Sequence, residues 1–72
     1  MRGLRAKAVP GLTKMLASGE LRVRAAACVL LGSLGPAAND AADALQRSLN
    51  DDDAYVRFAA AKALKAIAGS KP

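Results

Sequence analysis

Val23-Arg24-Ala25-Ala26-Ala27-Cys28-Val29-Leu30-Leu31-Gly32-Ser33-Leu34 and Val56-Arg57-Phe58-Ala59-Ala60-Ala61-Lys62-Ala63-Leu64-Lys65-Ala66-Ile67 are one amphipathic segment written twice, 33 residues apart. The correspondence extends upstream, where Ala8, Leu12 and Leu16 fall on Ala41, Leu45 and Leu49. Lys14 pairs with Arg47 and Glu20 with Asp53. A fixed period of this length marks a stacked repeat, in which each unit buries its apolar side only against its neighbour. Within each copy the apolar residues recur at three- and four-residue steps, the spacing of a helix face.

Four helices follow. The first is expected from about Leu4 to Ala17, with Ala8, Val9, Leu12 and Leu16 inward; Pro10 should mark its start near Val9 or a bend there. The second runs from about Glu20 to Leu34 and stops at Gly35-Pro36, a glycine for the C-terminal turn and a residue that cannot continue a helix. The third covers about Ala37 to Asn50, with Asp40 and Asp43 near the positive end of its dipole. The fourth opens on Asp53 as N-cap and closes before a tail at residues 69–72. The expected fold is all-α, a single domain of two helical hairpins at residues 4–35 and 37–68. Its core should hold Val23, Ala26, Ala27, Leu30, Leu31, Leu34, Leu45, Leu49, Val56, Ala60, Leu64 and Ile67.

Composition narrows the function. There is no His in the 72 residues, which removes His-based acid–base catalysis and the usual zinc sites. The one cysteine, Cys28, has no partner for an intramolecular disulfide and no His to activate it. It sits where the second copy has Ala61 and should be an inert buried thiol. Asp51-Asp52-Asp53 lacks the alternating ligands and closing Glu of a calcium loop, so it is expected to be a capping turn. No catalytic residue, metal ligand or cofactor is expected, and the chain is read as not an enzyme. The longest uncharged run, Ala25 to Asn39, is too short to cross a bilayer, and no apolar segment follows Arg2, Arg5 and Lys7. A cytoplasmic protein without a membrane partner is the expectation.

The two copies resemble HEAT repeats, in the short bacterial subtype called phycobilisome-lyase-like. The resemblance rests on the acidic turn Asp51-Asp52-Asp53, on Val23-Arg24 and Val56-Arg57, on the small pairs Ala26-Ala27 and Ala59-Ala60, and on Leu31-Gly32 and Gly35. It covers the chain from about Ala8 and implies an α-solenoid of two HEAT-like hairpins. It also implies a ladder in which a turn acid pairs with an Arg six positions on, as Asp51 and Arg57 are spaced. Ser18 replaces the acid in the first copy, so Arg24 is expected to turn to Asp51 of the next. Lys65 stands where the subtype has the glycine that Gly32 keeps, a mark of a solvent-facing last helix. Arg24 and Arg57 are therefore read as structural.

Two functions remain open. The positions that vary most freely in the subtype lie along one side of the second and fourth helices: Ala25, Val29 and Ser33, then Phe58, Lys62 and Ala66, with Tyr55 at the edge. That row is apolar and points to a protein–protein contact, with a partner or with a second copy, a dimer above all. Against this stands the charge. Arg2, Arg5, Lys7, Lys14, Arg22 and Arg24 face only Glu20 in residues 1–24, so the whole net charge of +5 lies there. Arg2, Arg5, Lys7, Lys14 and Arg22 could then bind nucleic acid or another polyanion. Some HEAT-like proteins, DNA glycosylases among them, use a basic inner surface. Others are phycobilin lyase subunits or a di-iron hydroxylase, but the hydroxylase needs His and a lyase role would need more than two repeats.

Overall fold

The computed structural model describes residues Arg2–Gly69, with no strand among them. Helix α1 spans Arg2–Met15 and contains Pro10. It begins close to the expected Leu4, so the alternative of a start near Val9 is set aside. Proline offers no N–H to the Ala6 carbonyl. The Pro10 ring lies on the solvent side, and the Thr13 hydroxyl donates to the Val9 carbonyl at 2.7 Å, adding a side-chain bond beside the gap. Three tight backbone bonds, from the N–H groups of Leu16, Ala17 and Ser18, close the chain after the helix.

Helix α2 spans Leu21–Leu34 and ends at Gly35, whose φ of 63° is a left-handed value that glycine adopts without strain. Residues Gly35–Ala41 then form a 3-10 helix, with Ala38 at φ −95°, ψ 16°, before α3 at Ala42–Ser48. The third helix expected from Ala37 is thus α-helical only over its second half. Pro36 beside Gly35, followed by Asn39-Asp40, favours tight turns over the wider α geometry. Within Leu21–Ser48 an 18-residue window reaches a mean hydropathy of 1.3, apolar enough for a membrane, but the stretch is divided into α-helices of 14 and 7 residues that are each too short to span one.

Helix α4 spans Ala54–Ala68 and is capped as expected by Asp53, whose Oδ1 accepts the N–H groups of Tyr55 (2.8 Å) and Val56 (3.1 Å). Glu20, its counterpart before α2, makes no such cap. The tail expected at residues 69–72 lies outside the described residues except for Gly69.

Leu31, Leu45, Val56 and Cys28 are the largest fully buried side chains, and Ala27, Ala38, Ala41 and Ala60 are buried with them. The main contact in the fold is α2 against α4. It is close because Gly32 lies over Ala63: a Cβ at position 32 would sit 3.0 Å from the Ala63 Cα. Two expected core residues are corrected: Ala26 is exposed and Leu30 is 45% exposed, because both lie on the side of α2 away from α4. Ala8 of α1 is exposed as well, whereas Val9 is buried.

Candidate functional site

Two features repeat from one hairpin to the next, a charged turn and a helix row. At the turn, the Ser18 hydroxyl accepts the Glu20 N–H at 3.0 Å, and Asp51 Oδ1 accepts the Asp53 N–H at the same distance. Arg24 Nη1 donates to the Ser18 carbonyl (3.0 Å), and Arg57 Nη1 donates to the Asp51 carbonyl (2.7 Å). The guanidinium of each repeat is therefore tethered six residues upstream in the same way. The remaining edge of Arg24 grips Asp51 as a fork, Nε to Oδ2 at 2.7 Å and Nη2 to Oδ1 at 3.1 Å. This is the expected bond between repeats. Within a repeat, by contrast, Arg57 reaches the Asp51 carbonyl rather than its carboxylate. Bidentate pairs of this type fix orientation as well as adding energy.

The Arg24 fork holds the Asp51 carboxyl below the usual carboxylate range, and the Asp53 N–H adds to the effect. Asp51 also raises the Arg24 pKa in return. A depressed folded-state pKa gives stability that is complete above the unfolded value of about 3.9 and is lost as the pH falls through the folded value. Acid titration should therefore cost the wild-type protein stability progressively below about pH 5. Asp51→Asn should be less stable at neutral pH and lose less on acidification, as thermal melts across pH will show. Parallel pH curves for the two proteins would refute the pairing. Two of the three carboxylates of the acidic turn are thus committed, Asp51 to Arg24 and Asp53 to the helix cap. Burial pushes the Cys28 thiol above its ordinary pKa, which suits an inert side chain.

The helix row forms a groove. Val29 and Ser33 of α2 and Tyr55, Phe58, Lys62 and Ala66 of α4 line a shared depression of about 410 Å³. Its floor is Cys28, Gly32, Ala59 and Ala63, which sequence reasoning left out of the site. The signal was present: Cys28–Gly32 and Ala59–Ala63 are small residues four apart, one position from the predicted row. Small residues let the two helices approach, and the larger side chains beside them become walls. Phe58 is 59% exposed, Tyr55 56% and Val29 49%. The Tyr55 and Phe58 rings lie 6.4 Å apart at 36°, and the Lys62 ammonium sits 5.8 Å from the Phe58 ring centre. Ala25 is corrected: it is only 7% exposed and belongs to the core, although its counterpart Phe58 is the most exposed aromatic.

The basic residues are not gathered in this way. Lys7 and Lys14, seven apart on α1, share one side of the helix. Arg5 is two residues from Lys7 and so roughly 200° around the axis. Arg22 lies on α2, exposed, and the side chain of Arg2 lies outside the described part.

The stacked hairpins, the ladder bond and the glycine contact are joined by a sequence comparison: the profile of the HEAT repeats matches residues 5–72. The chain belongs to the HEAT-repeat family. HEAT repeats generally mediate protein interactions or scaffolding and are typically non-catalytic. Searches of curated proteins and of solved structures returned no match.

Proposed function

We propose that this HEAT-repeat chain is a non-catalytic protein-interaction module whose contact surface is the groove between α2 and α4. The observation that carries the reading is the exposure of Phe58, Tyr55 and Val29 around one apolar depression. Three large apolar side chains left in water at one place mark an interaction surface. Lys62 in the wall, already stacked on Phe58, adds one fixed positive charge. The preferred partner is therefore a segment with apolar anchors and a nearby carboxylate. Within the family, the acidic turn and the Val-Arg and Leu-Gly pairs support a reading of the chain as a member of the phycobilisome-lyase-like subtype.

The second reading, a polyanion-binding module, is favoured by the +5 charge of residues 1–24. It is weakened by the spread of Arg5, Lys7, Lys14 and Arg22 over different sides of the first hairpin. Affinity capture separates the two. A protein bound by the wild type should be lost with Phe58→Glu and kept with the double variant Lys7→Glu, Lys14→Glu. In parallel, short duplex DNA should bind only weakly, with affinity falling steeply as salt rises. Capture that survives Phe58→Glu, or tight DNA binding at physiological salt, would reverse the ranking.

A further inference from the structure

The repeat shows which positions stay open when helices stack side by side. Arg22, Val29 and Ser33 of α2 are exposed although α4 packs against one side of that helix. Their counterparts one period on, Tyr55, Lys62 and Ala66 of α4, are exposed although α2 packs against the opposite side. The two rows therefore face solvent whichever hairpins stand beside them. Phe58 differs, since its counterpart Ala25 is 7% exposed under α4. Val29, Ser33, Tyr55, Lys62 and Ala66 remain as rims of the groove over its floor of small residues.

The floor offers a partner no hydrogen bonds. Cys28, Gly32, Ala59 and Ala63 carry no strong side-chain donor or acceptor, and their main-chain groups belong to α2 and α4. The Ser33 hydroxyl already donates to the Leu30 carbonyl at 2.8 Å. An extended peptide laid here would leave its own N–H and C=O groups unpaired along the floor. A helix satisfies those groups internally and presents only side chains.

The charge is one-sided. Neither α2 nor α4 contains an Asp or Glu, and together they carry Arg22, Arg24, Arg57, Lys62 and Lys65. Arg24 and Arg57 are tied to the turns, whereas Arg22, Lys62 and Lys65 make no ion pair among the described residues. Arg22 lies seven residues before Val29, about 20° from it around the axis, and so shares its rim. Gly32 packs against Ala63, which sets Lys62 level with Leu31 and about 13 Å beyond Arg22 along the helices.

We infer that the groove, read as the contact surface proposed above, holds an acidic amphipathic helix of a partner protein. Its apolar stripe covers Val29, Tyr55 and the floor for about three turns, the roughly 16 Å from Tyr55 to Ala66. Carboxylates on its two flanks meet Lys62 and Arg22, on opposite rims and about 13 Å apart along the axis. A second copy does not supply this helix: α1, α2 and α4 contain no acidic residue, and α3 has 7 residues.

A display library of peptides about 18 residues long, randomised at every position, tests this when selected on the intact chain. Enriched peptides should place apolar residues at three- and four-residue steps and carry more Asp and Glu than Lys and Arg. Their circular dichroism should turn helical on binding. Lys62→Glu, at an exposed position, should weaken them about tenfold, and exchanging their acids for lysine should restore binding to that variant alone. Val29→Glu should abolish binding. Peptides that Val29→Glu rejects but that are extended, uncharged or basic would overturn the acidic helix and leave the groove standing. Binders indifferent to both Val29→Glu and Phe58→Glu, or no enrichment at all, would overturn the groove as well.

Discussion

Leu31→Ala should lower the unfolding free energy by about 2–4 kcal/mol, read from urea midpoints at unchanged slope. Leu31 is fully buried in α2 and belongs to the one core cluster that both hairpins share. Removing its three outer carbons loses their transfer energy and leaves a cavity that the surrounding alanines are too short to fill. A domain of this size holds on the order of 4–10 kcal/mol in total. The single substitution should therefore leave a measurable unfolded population at room temperature. Its counterpart Leu64 is only partly buried. Leu64→Ala should cost less than Leu31→Ala, by more than the error of the midpoints. Equal losses would mean that the two hairpins are not stacked in this order.

Gly32→Leu should be the most damaging change per atom added, about 2–3 kcal/mol or more. The helix itself would gain from the substitution, because glycine is roughly 1 kcal/mol worse than alanine or leucine in a helix interior. The obstacle is the neighbour. The first atom of the new side chain meets the Ala63 Cα at 3.0 Å and its Cβ at 3.2 Å. The nearer of these is main-chain, which no rotamer change moves. Helices α2 and α4 must separate, exposing Val56, Ala59 and Ala60 together. Lys65→Leu, at the equivalent and exposed place on α4, meets no helix among the described residues and should be neutral. Thermal melts of the pair of variants give a direct reading. A stable Gly32→Leu protein would contradict the close helix crossing.

Much of this was legible in the residues, and the failures have a common cause. The stripe Val23, Ala26, Leu30, Leu34 reads almost letter for letter like Val56, Ala59, Ala63, Ile67. Periodicity finds the side of a helix that is able to be covered, but it does not say whether a neighbour stands there. Hence Val56 and Ile67 are buried as expected, while Ala26 and Leu30 face water. Ala25 failed in the opposite sense, since the repeat comparison placed it with the exposed Phe58, yet α4 covers that side of α2 alone. The bond between Arg24 and Asp51 was readable because Ser18 broke the pattern within the first copy. The 3-10 segment at Gly35–Ala41 was missed because four alanines in Ala37 to Ala42 read as helix, and the turn formers Pro36, Asn39 and Asp40 were outweighed. Of the groove, the walls Val29, Ser33, Tyr55, Phe58, Lys62 and Ala66 were visible as a variable row. Its floor was hidden because small residues carry no chemistry of their own.

The stacking of two repeat hairpins through α2 and α4 is the claim on which the groove and the ladder bond depend. The nuclear Overhauser effect between the Gly32 Hα protons and the Ala63 methyl group tests it most directly, since the crossing of α2 over α4 brings that pair into contact. A strong cross-peak, lost on urea unfolding together with one between Arg24 and Asp51 side chains, is the expected result. A folded, helical protein in which Gly32 and Ala63 show no cross-peak would contradict the account.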